Sequence, residues 1–161
     1  MNFDPDPFSV ELLQPRPDLD LSPRYDEGLD ILLFESQAPR NWPHGGTVDG
    51  VFTLDLDPDR RLVHAEFIWP RHRWPDEPVP DGLRKPQYHG RHTLRLPHFS
   101  SASGGDVATV RVFQSLQETA ISLNGTRADS RVTLGPGLEA LLFSETLVGF
   151  VIPWPEAPQS G

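Results

Sequence analysis

Four carboxylates stand at the spacing of a calcium loop: Asp55-x-Asp57-x-Asp59, with Glu66 eleven residues after Asp55. Calcium takes hard oxygens, and carboxylates at loop positions 1, 3, 5 and 12 wrap them around one ion. Three features oppose that chemistry. Arg60 holds the sixth position, where the sharp turn wants glycine, Pro58 holds the fourth, and the flanks read as strands where the loop needs helices. The expectation is a β-turn at Asp57-Pro58-Asp59-Arg60, with Asp and Pro at their favoured places. Glu66 is then an outward strand residue.

Histidine is the second chemical candidate. His64, His72, His89, His92 and His98 fall within 35 residues. Neutral imidazole ligates zinc, copper or nickel and acts as a base near neutral pH. A metal site would use His89, His92 and His98, with Asp76 or Glu77. On a strand, however, residues i and i+3 face opposite sides, and the chain has no HExxH helix motif. Scattered loop histidines and no cofactor are expected.

The third candidate interleaves cations with rings: Trp69-Pro70-Arg71-His72-Arg73-Trp74, followed by Arg84-Lys85, Tyr88, Arg91 and Arg95. Trp69, Arg71, Arg73, Trp74, Tyr88 and Arg91 are the partner-binding candidates, because Trp, Tyr and Arg carry most of the energy at protein interfaces. The same composition suits stacking on single-stranded nucleic acid. The structural alternative has Trp69 ending a strand in the core and Arg73 stacking on Trp74. Nucleophilic catalysis has no G-x-S-x-G signature, and no glycine stretch has the phosphate-loop frame. Asn124-Gly125 reads as a type I′ hairpin turn.

Composition narrows the classes. There is no cysteine, which removes disulfides, thiolate metal sites and a cysteine nucleophile. Net charge is −9, which opposes binding to phosphate backbones, although eight of the 14 Lys and Arg lie between Arg60 and Arg95. Asp4 and Asp6 near the start give the wrong charge for a secretory leader, and no apolar run approaches the ~20 residues of a membrane helix. A soluble, cytoplasmic protein with no membrane partner is expected.

Eighteen prolines and 13 glycines keep the elements short. Between them, β-branched and aromatic residues alternate with polar ones at Val51–Leu56, Arg61–Trp69, His92–Leu96, Val107–Phe113, Thr119–Leu123, Arg131–Leu134, Glu139–Phe143 and Thr146–Ile152. Leu29–Phe34 is continuously apolar, as for a strand buried on both faces. The expected fold is mainly β, with antiparallel sheets from two diverged strand-turn-strand repeats packed into one domain and few or no long helices. An extended arm covers 1–24, with one short strand at Val10–Leu13. The first repeat covers 25–70, a Pro/His/Arg-rich connection 71–98, the second repeat 106–155 and a tail 156–161. Leu62–Pro70 (LVHAEFIWP) and Leu147–Pro155 (LVGFVIPWP) are the best matching pieces.

Tyr25-Asp26, then Leu29-Asp30-Ile31-Leu32-Leu33, Val51–Leu56, Asp57, Asp59, Arg61-Leu62-Val63 and Glu66-Phe67-Ile68 come in an order that resembles a family of small bacterial β-rich domains of unknown function. Their pattern is YD…LYI…LDxDxDGRLVGIEIL, and the resemblance covers about Tyr25–Trp69. Arg60 and His64 replace two glycines of the pattern, and Gln37–Gly46 is an insertion. The resemblance implies a fold and a bacterial source, with genes sometimes beside toxin–antitoxin pairs, and no catalytic residues.

The expected function is a non-catalytic accessory or protein-interaction module of the bacterial cytoplasm, of the antitoxin or immunity type. Its partner would be a protein or a second copy in a homodimer. One alternative is a metal-binding protein or metal-dependent enzyme using the His-rich 64–98 segment. Another, weaker, is nucleic-acid binding through 69–95.

Overall fold

A computed structural model describes residues 6–39, 44–84, 86–100 and 109–153. The chain is mainly β. Five strands form one sheet: β2 (Ser22–Asp26), β3 (Ile31–Glu35), β4 (His44–Val48), β5 (Phe52–Leu56) and β6 (Leu62–Phe67), in the order β2-β3-β6-β5-β4. Six strands form a second: β7 (Gln87–Arg91), β9 (Arg111–Gln114), β10 (Glu118–Ser122), β11 (Ser130–Gly135), β12 (Leu138–Phe143) and β13 (Thr146–Pro153), in the order β7-β11-β12-β13-β10-β9. A short ribbon pairs β1 (Glu11–Leu13) with β8 (Thr93–Arg95). Every pairing is antiparallel except β7 with β11.

Period-two alternation selects the face that each sheet buries. In β5, Phe52, Leu54 and Leu56 are buried while Thr53 and Asp55 are half-exposed. These three join Leu32, Phe34, Ala65 and Phe67 of their own sheet and Val132, Ala140, Phe150 and Ile152 of the other in one apolar core. Phe150 stacks on Phe52 (centroids 5.5 Å apart, planes at 6°) and meets Phe34 edge-on at 5.2 Å. The six-stranded sheet is apolar on its outer face too. Val79 and Leu83, the latter in the helical turn α1 (Asp81–Arg84), cover Phe113, Ala120, Leu141, Val148 and Val151 there.

The two halves share more than composition. Without β7, the second order is β11-β12-β13-β10-β9, the mirror listing of β2-β3-β6-β5-β4 once β9–β13 are matched to β2–β6 in turn. Registers agree as well: Leu56 faces Leu62 and Asp55 faces His64, just as Leu142 faces Leu147 and Leu141 faces Gly149. Each ladder therefore bulges at the valine of a Leu-Val pair, Val63 or Val148. The Val63 carbonyl accepts from Ser36 Oγ at 2.6 Å, and the Val148 carbonyl accepts from the Leu123 and Asn124 amides at 2.7 and 3.0 Å. A bulge is a fixed feature of a family rather than a defect.

Gly149 takes the place of His64 in this scheme. A Cβ there would lie 2.1 Å from the Ile121 carbonyl oxygen on the neighbouring strand. Gly149→Ala is expected to cost about 1–3 kcal/mol by overpacking. Thermal unfolding checks it, and an unchanged melting curve would mean that β10 and β13 approach less closely.

Several elements depart from expectation. β2 begins inside the segment expected as an arm. Pro23 disguised it, but β2 is an edge strand, where a missing amide hydrogen is tolerated. β4 begins inside the expected Gln37–Gly46 loop and runs on to Val48, and the signal for it was Asp49-Gly50. Both have positive φ (53° and 69°), as a type I′ turn requires. Asn124-Gly125 is not a hairpin: β10 pairs with β13 and β9, and its connection to β11 crosses the sheet end instead. Trp154, the first two residues of the strand expected at Val107–Phe113 and the tail at 156–161 lie outside the described residues.

Candidate functional site

The aromatic and basic segment after β6 folds into one turn of 3-10 helix, Arg71–Arg73. The Arg73 amide donates to the Pro70 carbonyl (2.9 Å) and the Trp74 amide to the Arg71 carbonyl (3.1 Å). Trp74 corrects the expected partner surface. Its ring is buried, stacked on Phe67 at 5.7 Å, and its Nε1 donates to the Trp69 carbonyl at 2.8 Å. It is the anchor that pins the turn, and this leaves Arg71, His72 and Arg73 pointing into solvent.

Trp69, half-buried, packs edge-on against Phe67. The Arg71 guanidinium lies over the Tyr25 ring at 5.7 Å, and the Arg71 amide donates to the Tyr25 hydroxyl at 3.2 Å. That hydroxyl in turn bonds Asp30, held in the left-handed region (φ 59°) at the end of the β2–β3 turn. His72 Nδ1 lies 3.6 Å from the other Asp30 oxygen. Two apolar side chains stand out at this same end of the sheet: Leu29 in the β2–β3 turn, 68% exposed, and Ile68, just past the Leu32–Phe67 pair, 47% exposed. Tyr25 and Arg71, in a hydrogen-bonded frame, Trp69 and two exposed aliphatics thus lie at one end of the sheet.

Tyr88 and Arg91 are elsewhere, on β7 at the edge of the six-stranded sheet. The Tyr88 hydroxyl bonds Thr133 Oγ1 at 2.5 Å, and Arg91 pairs with Asp20. The structure therefore splits the six sequence candidates into an end group (Trp69, Arg71, Arg73), a pair on β7 (Tyr88, Arg91) and a core residue (Trp74).

The histidines are also separated by element. His89 is exposed on β7, His92 follows it with Nδ1 enclosed and unbonded, and His98 is exposed in the turn after β8. His64 is buried on the outer face of the five-stranded sheet, its Nδ1 2.9 Å from Asp55 Oδ2. Among the described residues, no group of three His, Cys, Asp or Glu side chains could hold a metal ion. The calcium spacing resolves into the turn. Asp57 Oδ1 accepts from the Asp59 and Arg61 amides, both at 2.9 Å, while Oδ2 takes Arg61 Nε at 2.9 Å. The carboxylate that would ligate calcium is spent on its own backbone, and Arg60 supplies the left-handed residue (φ 64°).

Sequence reading missed a charged triad on the outer face of the six-stranded sheet. Arg131 Nη2 reaches Glu139 Oε1 at 2.6 Å and Glu118 Oε2 at 3.1 Å, with all three side chains at most 17% exposed. Burial works against the Arg131 charge. Hydrogen bonding and attraction to Glu139, then Glu118, more than offset it and hold the guanidinium above its usual range. Only strand register brings these residues together. The one available signal was Arg131 and Glu139 flanking the Pro136-Gly137 turn.

Two clefts flank the Ser144-Glu145 turn. One, about 450 Å³, is lined by Val10, Glu11, Leu12, His89, Leu142 and Glu145, with Ser130. Ser130 Oγ donates to its neighbour Asp129 at 3.1 Å, and no hydrogen bond joins it to His89, so a nucleophile–base pair is not formed there. The other, about 290 Å³, lies along Asp6, Arg127, Phe143 and Ser144. No described helix is long and apolar enough to cross a membrane. Compared with known protein families and with curated proteins, the chain matches no family model and no curated sequence.

Proposed function

We propose that this chain is a non-catalytic protein-interaction module of the bacterial cytoplasm, of the antitoxin or immunity type. It engages its partner through the end of the five-stranded sheet. The observation that carries the reading is the cluster of Tyr25, Leu29, Ile68, Trp69 and Arg71. Exposed aliphatics beside Tyr, Trp and Arg have the composition of an interface hot spot. Rings held by Phe67 and Asp30 lose little freedom when a partner packs on them. The same stretch, Tyr25–Trp69, carries the resemblance to small bacterial β-rich domains. The shared topology of the halves supports an origin by duplication.

The test is a pull-down from the source cells with wild-type protein and an Ile68→Asp variant, both checked for equal melting temperature. Loss of the captured protein, by at least tenfold, is the expected result. Undiminished capture by the variant would overturn the assignment of this surface. Light scattering on the purified protein at increasing concentration distinguishes a foreign partner from a second copy.

A further inference from the structure

The larger cleft beside the Ser144-Glu145 turn has a feature that the smaller one lacks. In the smaller cleft the chain supplies its own cation: Arg127 lies over the Phe143 ring, its guanidinium carbon 5.1 Å from the centroid. The larger cleft has an apolar floor of Val10, Leu12 and Leu142 and two acidic residues, Glu11 and Glu145, and among the described residues no Lys or Arg lines it. Arg95, which is not among the lining residues, pairs with Glu11 at 3.0 Å as its cross-strand partner. Glu145 makes no ion pair among the described residues, and its backbone carbonyl holds β1 in place by accepting from the Val10 amide at 2.9 Å. Leu12 is 39% exposed on the cleft wall.

Such a cleft fits one kind of guest. An Arg or Lys side chain carries three or four methylenes to lay on Leu12 and Leu142 and a cation to set between Glu11 and Glu145. The whole-molecule field agrees, since a net charge of −9 draws a basic protein towards the surface and speeds encounter. A second copy of this chain carries the same −9 and is disfavoured.

We propose that the cleft between β1, β7 and the Ser144-Glu145 turn receives an arginine or lysine side chain of a basic partner protein. This deepens the interaction reading above and rests on it, adding a second contact and the partner's charge. The probe is a hexa-arginine peptide, with hexa-glutamate as control, titrated into the ¹⁵N-labelled full chain and followed by amide shifts. Shifts centred on Leu12, His89, Leu142 and Glu145 are expected, with hexa-glutamate silent. Glu145→Gln should weaken binding at least fivefold without altering the melting temperature, and Leu12→Ser should weaken it by removing the floor. Shifts scattered over all acidic surfaces, equal affinity for Glu145→Gln, or no shift at all would each overturn the proposal. If the Ile68→Asp pull-down loses its partner while Glu145→Gln binds hexa-arginine like wild type, the interaction module stands and the cleft assignment falls.

Discussion

Phe150→Ala is expected to destabilise the fold by about 3–5 kcal/mol, against a typical domain stability of about 5–15 kcal/mol. Phe150 is fully buried on β13, among the described residues the only ring of the six-stranded sheet in the central aromatic group. Phe34 and Phe52 of the opposite sheet both pack on it, and Phe52 passes the contact on to Phe67 at 5.5 Å. Removing the ring forfeits its transfer free energy and the aromatic pair geometry. It also leaves a void between two hydrogen-bonded sheets that cannot collapse to fill it. Urea unfolding measures the loss. Phe150→Leu, which keeps most of the volume, should cost under about 2 kcal/mol. A loss below about 1 kcal/mol for alanine would mean that the two sheets do not share this core.

Arg131→Ala is expected to cost a comparable amount, about 3–5 kcal/mol, by a different route. Glu118 and Glu139 would remain facing one another, each about 15% exposed, without the cation that sits between them. Salt separates this from simple loss of packing. In the wild type the raised Arg131 range means that its stabilisation is complete at every pH below the ordinary arginine range and is lost only far above it, so Arg131 contributes no slope between pH 5 and 8. In the variant two like charges face one another, so added sodium chloride should recover part of the loss, whereas a packing defect would not respond. A variant insensitive to salt would show that the carboxylates swing out into water. Arg131→Met restores stem volume without charge and should keep the salt response.

Much of the fold was legible. Alternation located β5, which has one face in the core, while β6, β12 and β13 stood out as apolar runs with a neighbour on both sides, β13 being buried on both faces from Leu147 to Ile152. The best matching pair of pieces, LVHAEF and LVGFVI, turned out to hold equivalent bulges in equivalent registers. Asp57 was read correctly as a turn residue because a short carboxylate ahead of a proline caps its own backbone. The strands that escaped were β2, β4 and β7, all at sheet edges. An edge strand has one neighbour and fewer buried positions, so Pro23, Gly45-Gly46 and the polar run Gln87–Arg91 satisfy it without any hydrophobic period.

The sites divide along the same line. Sequence alone determined that the chemistry around residues 69–91 would be aromatic and cationic rather than nucleophilic, since residue type is a local property. It equally determined that Asp55, Asp57, Asp59 and Glu66 would serve a hairpin, since turn geometry spans four residues. Only tertiary structure decided that Trp74 turns inward onto Phe67, that Trp69 meets Phe67 edge-on and that Arg71 lies over Tyr25. Only it decided that Arg131 meets Glu118 across two intervening strands, and that Glu11, His89 and Glu145 wall one cleft. Each of these outcomes depends on which strands become neighbours and in which register. That choice follows from burying two whole sheets against each other, a free energy summed over the entire chain that no local run of residues encodes.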